Sequence, residues 1–315
     1  MAHNPPRVSI GMPVYNGEKY IAQAIDSILA QTYSDFEFLI SDNASTDRTQ
    51  AICEHYVAQD ARVRYYRNPK NLGLAPNYNR VFALSSGVYF KWATYDDLIK
   101  PEFLARCVAI LDQHPSVVVC YARAEIIDAR NDYVVDYNPG PDTRSPNPAE
   151  RFRNLLLRPE YAIQQMGVMR AATLHKTKLY GSYSSSDEIL LAELALRGEY
   201  IEIPERLYLY RRHAMQSTAT GKQRDRMTLF DTAFVGKITL PTWLYFFGGI
   251  DAIRRASLDG RARTQCYATM ARWALRPDHL RALGKDVLLA LRQSIYLSRA
   301  NPVAVAKNSE PEFRR

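Results

Sequence analysis

From residue 7 to residue 121 the chain alternates short β-type runs with amphipathic helical stretches, and few folds accept that pattern. Val8, Ile10 and Met12 alternate along a strand over 7–15, which Asn16 and Gly17 end. Ile21, Ala24, Ile25, Ile28 and Leu29 then hold the i, i+3, i+4, i+7, i+8 spacing of one helix face within 18–31. A buried strand is expected at 36–41. Ser45 or Thr46 is placed to cap the helix that carries Ile52, Cys53, Tyr56 and Val57. Further strands are expected at 63–66, 88–93 and 117–121. Helices fall at 75–84 and from Pro101, read as the first helical residue, to Gln113. Regular strand–helix alternation predicts an α/β fold with a doubly wound, mostly parallel sheet.

After Val134 the pattern stops, and Pro139, Pro141, Pro146 and Pro148 mark a loop. Helical spacing resumes at Ala149. A second alternation spans 166–212, with a helix near 187–197 and two strands near 199–203 and 206–210. The expected organisation is a domain over 1–220, divided near 125 into two halves, and a helical region over 221–315.

That last region is basic, with 17 Lys and Arg against 8 Asp and Glu, a balance of +9. The chain as a whole carries +8, so residues 1–220 hold 8 − 9 = −1. A basic segment suits acidic lipid, anionic substrate or plain solvation. No nucleic-acid-binding motif accompanies it, so nucleic acid is not an expected partner. Ile238–Ile250 is apolar but too short to span a bilayer, and it contains Pro241, Gly248 and Gly249. Cys53, Cys107, Cys120 and Cys266 lie in apolar stretches at no metal-ligand spacing. With no apolar leader before Arg7, they fit a reducing cytoplasm as the expected location.

In an open parallel sheet, ligands bind beyond the carboxyl ends of the strands. There this sequence places Pro13-Val14-Tyr15-Asn16, Asp42-Asn43-Ala44-Ser45-Thr46-Asp47, Asn68 with Asn71-Leu72-Gly73, and Tyr95-Asp96-Asp97. Any single carboxylate of this set is as well explained by a helix cap. The adjacent pair Asp96-Asp97 is sharper, because two neighbouring carboxylates repel unless a cation or donors lie between them. One or two carboxylates completed by diphosphate oxygens is a usual Mg²⁺ arrangement.

Taken in order, these motifs resemble glycosyltransferase family 2 and its GT-A fold over residues 7–213. Val8 to Asn16 is similar to that family's first strand, and Asp42 to Asp47 to its nucleoside loop. Asn68 to Gly73 is similar to its next turn, and Tyr95-Asp96-Asp97 to its acidic metal motif. Ser186-Asp187-Glu188 resembles its late acidic motif, and Leu207 to His213 its closing strand. The resemblance implies an inverting transferase that moves a sugar from a nucleotide-diphosphate donor, UDP- or dTDP-sugar favoured. It implies a glycan, lipid-linked or small-molecule acceptor and a divalent metal, Mg²⁺ or Mn²⁺. The halves 1–125 and 126–220 then take the donor and the acceptor.

By residue, the resemblance implies that Asp97 and His213 hold the metal and that Asp187 is the general base, with Glu188 next to it as the alternative. Pro13, Tyr15, Asn16, Asp42, Asn43, Asp47, Asn71, Gly73, Asp96 and Arg211 are the implied donor-binding set. Trp92 is expected in the core. A nucleotidyltransferase would carry a Gly- and Lys/Arg-rich phosphate loop after the first strand, and Met12-Pro13-Val14-Tyr15 is not one. A binding module without catalysis would not need both Asp97 and Asp187.

The resemblance says nothing of 221–315. Within it Arg281, Lys285, Arg292 and Arg299 form a helical stripe beside Leu280, Val287, Leu288, Leu291 and Ile295. Three roles fit: contact with the inner face of a membrane, a homodimer interface, or packing on the preceding domain.

Overall fold

The computed structural model describes residues 5–137, 143–157, 163–214, 216, 227, 229–235 and 237–300, without the side chains of 293–300. The N-terminal half runs β1 (Val8–Val14), α1 (Ile21–Leu29), β2 (Phe36–Asp42), α2 (Thr49–Gln59), β3 (Val63–Arg67), α3 (Leu74–Ala83) and β4 (Tyr89–Trp92). It continues through β5 (Leu98–Ile99), α4 (Phe103–Gln113) and β6 (Val117–Ile127). Then come β7 (Tyr133–Asp136), α5 (Pro148–Leu157), β8 (Val168–Arg170), α6 (Ala171–Leu174), α7 (Ser186–Ala195) and β9 (Glu199–Arg211). Three helices close the chain: α8 (Pro241–Arg255), α9 (Gly260–Ala274) and α10 (Pro277–Ala300).

The strands form one sheet in the order β3-β2-β1-β4-β8-β6-β9-β5, with β7 paired to β6. β1 runs parallel to β2 and β4, β2 to β3, and β6 to β9. β8 is antiparallel to both β4 and β6, so it joins the two parallel blocks without reversing their sense. β5 and β7 are also antiparallel additions. Every residue of β1 and β2 is buried, as expected for central strands covered on both faces. At Gly11 a Cβ would lie 2.8 Å from both Phe90 and Val81, so only glycine lets α3 seat this closely on β1.

Several boundaries differ from those expected. The two strands near 199–203 and 206–210 are one strand, β9, whose register against β6 shifts around Arg123 and absorbs Pro204. β6 extends to Ile127, and β5, β7 and β8 are too short to register as periodic runs. Pro101 lies in the turn before α4, which begins at Phe103. The cap of α2 comes from Asp47, whose Oδ1 accepts from Thr49 N at 3.0 Å, not from Ser45 or Thr46.

The last three helices pack against α5, α7 and one another. Phe152 and Leu156 of α5, Ile189 and Ala192 of α7, Tyr245 and Ile253 of α8, and Cys266, Met270 and Trp273 of α9 share one apolar core. Tyr245 and Trp273 stack at 4.8 Å. Glu193 of α7, buried, receives Arg255 Nε and Nη2 at 3.0 and 2.8 Å, and Arg197 Nη2 at 2.9 Å. These contacts make the helices an extension that braces α7. Among the described residues no helix is long and apolar enough to cross a membrane.

Candidate active site

The carboxyl ends of β1, β2, β3 and β4 bring the expected donor-binding residues together. Pro13 is buried in β1 opposite Ser41 of β2, and Tyr15 follows with 41% of its surface exposed. Asn16, at φ 52°, accepts from Thr46 N at 2.8 Å and donates its own N–H to Ser45 Oγ at 2.9 Å. The first two loops are thereby locked together. Asp47 adds to the lock through Glu18 N at 3.0 Å. Burial pushes the Asp47 carboxyl up, but the bonds from Thr49 and Glu18 outweigh it and hold it below the ordinary value.

Asp42 is fully buried. Its Oδ1 accepts from Ser45 N and Oγ at 2.8 and 2.6 Å, and its Oδ2 from Tyr65 Oη at 2.5 Å and Arg67 Nη1 at 2.7 Å. Four donors fill the acceptor capacity of a carboxylate. A base that reaches Asp42 must therefore displace Tyr65 or Arg67. Asn43 is equally committed. Its Nδ2 donates to Asn71 Oδ1 and Gly73 O, both at 2.9 Å, and its Oδ1 accepts from Asn68 and Leu72. Asn43 and Asn71 thus shape the loop edge as much as they offer groups to a ligand.

Gly73 sits at φ +94°, and a Cβ there would lie 2.6 Å from Asp231 Cα. The segment around Asp231 closes on this turn. Thr232 N and Oγ1 donate to Leu72 O and Asn71 O at 3.2 and 3.0 Å, and Asp231 Oδ2 accepts from Ser182 Oγ at 2.6 Å. The chain after residue 227 therefore ties the Asn71–Gly73 turn to the loop before α7.

The two acidic neighbours after β4 have different surroundings. Asp97 points inward. Its Oδ2 accepts from Thr94 Oγ1 at 2.7 Å and Tyr208 Oη at 2.5 Å, and its Oδ1 from Arg211 N at 2.8 Å. Burial first, then the Asp96 charge, push the Asp97 carboxyl up to about 7 against the pull of these donors. Asp96 instead meets His213, with Nε2 2.9 Å from its Oδ2. The imidazole rests on the Tyr20 ring at 4.7 Å, and the buried Tyr20 hydroxyl has no hydrogen-bond partner among the described residues. Arg211, expected in the donor-binding set, spends its guanidinium on protein groups. It is fully buried beneath the acidic loop, with Nε on Asp96 O at 2.6 Å, Nη2 on Gln23 Oε1 at 3.0 Å, Nη1 on Asn131 Oδ1, and its guanidinium 4.6 Å over the Tyr20 ring. Burial lowers its pKa, and it serves as the cation that holds the loop from below.

Across the site, Asp187 occupies the first turn of α7, where its carboxylate accepts from its own N–H and that of Glu188. Burial raises its pKa, and those two bonds only partly offset the rise. Glu188 is turned away, its Oε2 accepting from Tyr245 Oη of α8 at 3.0 Å. Tyr78 of α3 lies between the two acidic stations: its phenol is raised first by burial, then by the charges of Asp96, Asp97 and Asp187. Behind it, Trp92 is fully buried, donates Nε1 to Tyr78 O at 3.1 Å and packs edge-on against Tyr180 at 5.0 Å. Tyr65, Arg67, Tyr78, Tyr208 and Tyr245 escape the sequence reading. Arg67 had a signal, since it ends β3 on the ligand edge, and Tyr65 lies on the same strand; Tyr78, Tyr208 and Tyr245 come from α3, β9 and α8.

This arrangement places a carboxylate–imidazole pair and a carboxylate of raised pKa both within electrostatic reach of Tyr78. Solved structures share its fold. The chain superposes on S. aureus TarS, solved in complex with UDP-GlcNAc, with a TM-score of 0.64 and 16% identity over 91% of this chain and 81% of that one. The mannosyltransferase PcManGT from Pyrobaculum calidifontis, in complex with GDP-Man and Mn²⁺, gives 0.51 and 15% over 93% and 87%. By sequence the chain is similar to an uncharacterised glycosyltransferase of Haemophilus influenzae, 27% identical over 71% of each chain. It is 37% identical to the putative glycosyltransferase EpsE of Bacillus subtilis over 35% of this chain, and spans only 40% of that relative's length. Residues 9–175 match the model of Glycosyl transferase family 2, more than half the chain, and the protein belongs to that family.

Proposed function

We propose that the protein is an inverting, metal-dependent glycosyltransferase that moves one sugar from a nucleotide-diphosphate donor to an acceptor hydroxyl. The reading includes a role in polysaccharide, glycolipid or other glycoconjugate synthesis on the cytoplasmic side of a membrane. The observation that carries it is the division of labour among the acids: Asp96 faces an imidazole, Asp97 is buried under three donors, and Asp187 keeps a raised pKa across the cleft.

An imidazole nitrogen and a carboxylate oxygen 2.9 Å apart fit a Mg²⁺ or Mn²⁺ ion whose remaining ligands are diphosphate oxygens and water. Among the described residues no group of three or more acidic, His or Cys side chains could hold such an ion without the donor. We therefore assign Asp96 with His213 to the cation, and Asp97 to fixing the loop against β9. When bound, the cation would neutralise charge on the leaving diphosphate.

Asp187 takes the other half of the reaction. The acceptor oxygen bonds to the anomeric carbon as the carbon–phosphate oxygen bond breaks on the opposite face, and the hydroxyl proton passes to Asp187. Burial suits that role, because a base is most effective when its pKa approaches the working pH. The Asp42 network favours a donor base with an N3–H to offer, uracil or thymine, in exchange for the Tyr65 or Arg67 contact.

The test is a panel of UDP-, dTDP- and GDP-sugars, assayed for hydrolysis and transfer with Mg²⁺, Mn²⁺ or excess chelator, with NMR of the product's anomeric configuration. Metal-dependent turnover of a UDP- or dTDP-sugar with inversion is expected. Full activity in chelator, or retained configuration, would overturn the reading.

A further inference from the structure

The exposed apolar surface of this protein is concentrated where its positive charge is. Phe247 of α8 and Leu280, Val287, Leu288 and Leu291 of α10 are 55, 49, 41, 60 and 56% exposed. Scattered exposed leucines need no explanation, but a shared face does. On α10 the inward side is fixed by two contacts: Asp286 accepts from Thr242 N at 2.7 Å, and Leu283 O from Trp243 Nε1 at 3.2 Å. At about 100° per residue, Leu280, Val287 and Leu291 then fall within about 40° of one another, on a strip outside that seam.

Arg281, Lys285 and Arg292 form a second strip beside it, all exposed. Asp278, 3.7 Å from Arg281, is the one exposed acid among the described side chains of α10. The helix thus presents an apolar stripe bordered on its outer side by cations, backed by a segment whose balance is +9 over 221–315. Trp243, stacked on Phe247 at 5.7 Å, adds an amphipathic ring to the neighbouring helix. Two residues along α8 from both Trp243 and Phe247, the buried Tyr245 turns inward to Glu188, so α8 joins this face to the first turn of α7.

We propose that the α8–α10 face docks the protein on a lipid surface carrying anionic headgroups, with the apolar strip entering the interface and the three cations meeting the headgroups. The charge pattern selects this occupant: a second copy would set the same cations against one another across a two-fold axis. A basic border on an apolar stripe matches an interfacial helix, where aliphatic stems insert and charged ends remain in the headgroup layer.

The experiment is sedimentation of the full chain with phosphatidylcholine vesicles, with and without about one-third phosphatidylglycerol, at about 0.05 and about 0.5 M salt. It needs no donor or acceptor, so its outcome is separate from that of the catalytic reading. Binding only to the anionic vesicles is expected, weakened at least about tenfold by the higher salt. Arg281→Glu with Lys285→Glu and Arg292→Glu should lower partitioning by about 100-fold or more, at about fivefold per cation. Val287→Asp with Leu291→Asp should also lower it. Both variants should melt with the wild type, since the changed side chains are exposed. Equal sedimentation with neutral and anionic vesicles overturns the proposal, as does undiminished binding by both variants. A dimer that Leu291→Asp dissociates, in a protein that never binds vesicles, overturns it in favour of an interface between copies. Binding that appears only after removal of 301–315 also overturns it, because the chain's own tail is then the occupant.

Discussion

Exchanging Asp96 and Asp97 for asparagine, one at a time, separates a ligand from a strut. In Asp97→Asn the amide carbonyl can keep Arg211 N, but its NH₂ then faces the hydroxyls of Thr94 and Tyr208. Both hydroxyls must turn to accept, and the buried Tyr208 O–H loses its acceptor. An unsatisfied buried donor costs about 1–3 kcal/mol. A drop of that size in unfolding free energy, read from a urea titration, is the expected result. Asp96→Asn leaves those bonds intact and keeps an amide oxygen for His213, so it should cost less stability than Asp97→Asn. Its effect should fall on the cation: turnover lower by about 10²-fold, which is about 2.7 kcal/mol of barrier, with weaker Mn²⁺-dependent UDP binding by titration calorimetry. If Asp97→Asn abolishes the Mn²⁺ dependence at unchanged stability while Asp96→Asn retains it, the assignment is reversed and the packing argument fails.

Asp187→Asn should keep donor binding and lose transfer by about 10²–10⁴-fold, while Glu188→Gln keeps most activity; a dead Glu188→Gln beside an active Asp187→Asn would move the base by one residue. The raised pKa of Asp187 carries a sign. A base must be ionised, so wild-type turnover should fall as pH drops through a value above the ordinary Asp pKa of about 3.9. The same shift means that the ionised group opposes folding above its folded pKa. Asp187→Asn should therefore melt no lower than wild type at neutral pH, and a clear loss of stability there would contradict the burial argument. Glu193→Ala leaves Arg197 and Arg255 without their shared carboxylate and should cost about 3 kcal/mol in a urea titration; a loss well under 1 kcal/mol would show that solvent screens the cluster. Gly73→Ala forces a side chain into φ +94° and against Asp231, so the melting temperature should fall and the donor KM rise; an unchanged protein would mean that the 230–232 segment yields freely.

Much of the N-terminal half is legible in the sequence for a physical reason. β1, β2 and the helices after them are local elements, and the periodicity of Val8–Met12 or Ile21–Leu29 follows from which face each residue must bury. The rule that ligands gather at the carboxyl ends of parallel strands also picks out Asn16, Asp42, Asn43, Asn71 and Asp96, and the structure brings them to one edge of the sheet. The family resemblance carried Asp187 and His213 further than spacing alone could. β5 and β8, two and three residues long, exist only because β9, β4 and β6 offer them partners. Their pairing is a tertiary fact with almost no local signature.

The division of roles within the site is likewise tertiary. In sequence, Asp96 and Asp97 are neighbours with the same chemistry, as are Asp187 and Glu188. Tyr208 and Arg211, more than a hundred residues downstream, claim Asp97 and leave Asp96 to His213. Tyr245, from a helix outside the resemblance, claims Glu188 and leaves Asp187 in the cleft. Sequence alone set which elements form and at which edge of the sheet the acids collect, because burial periodicity and strand polarity are local properties. Only the tertiary structure decided which carboxylate is saturated with protein donors and which is not, because those donors arrive from strands and helices distant along the chain.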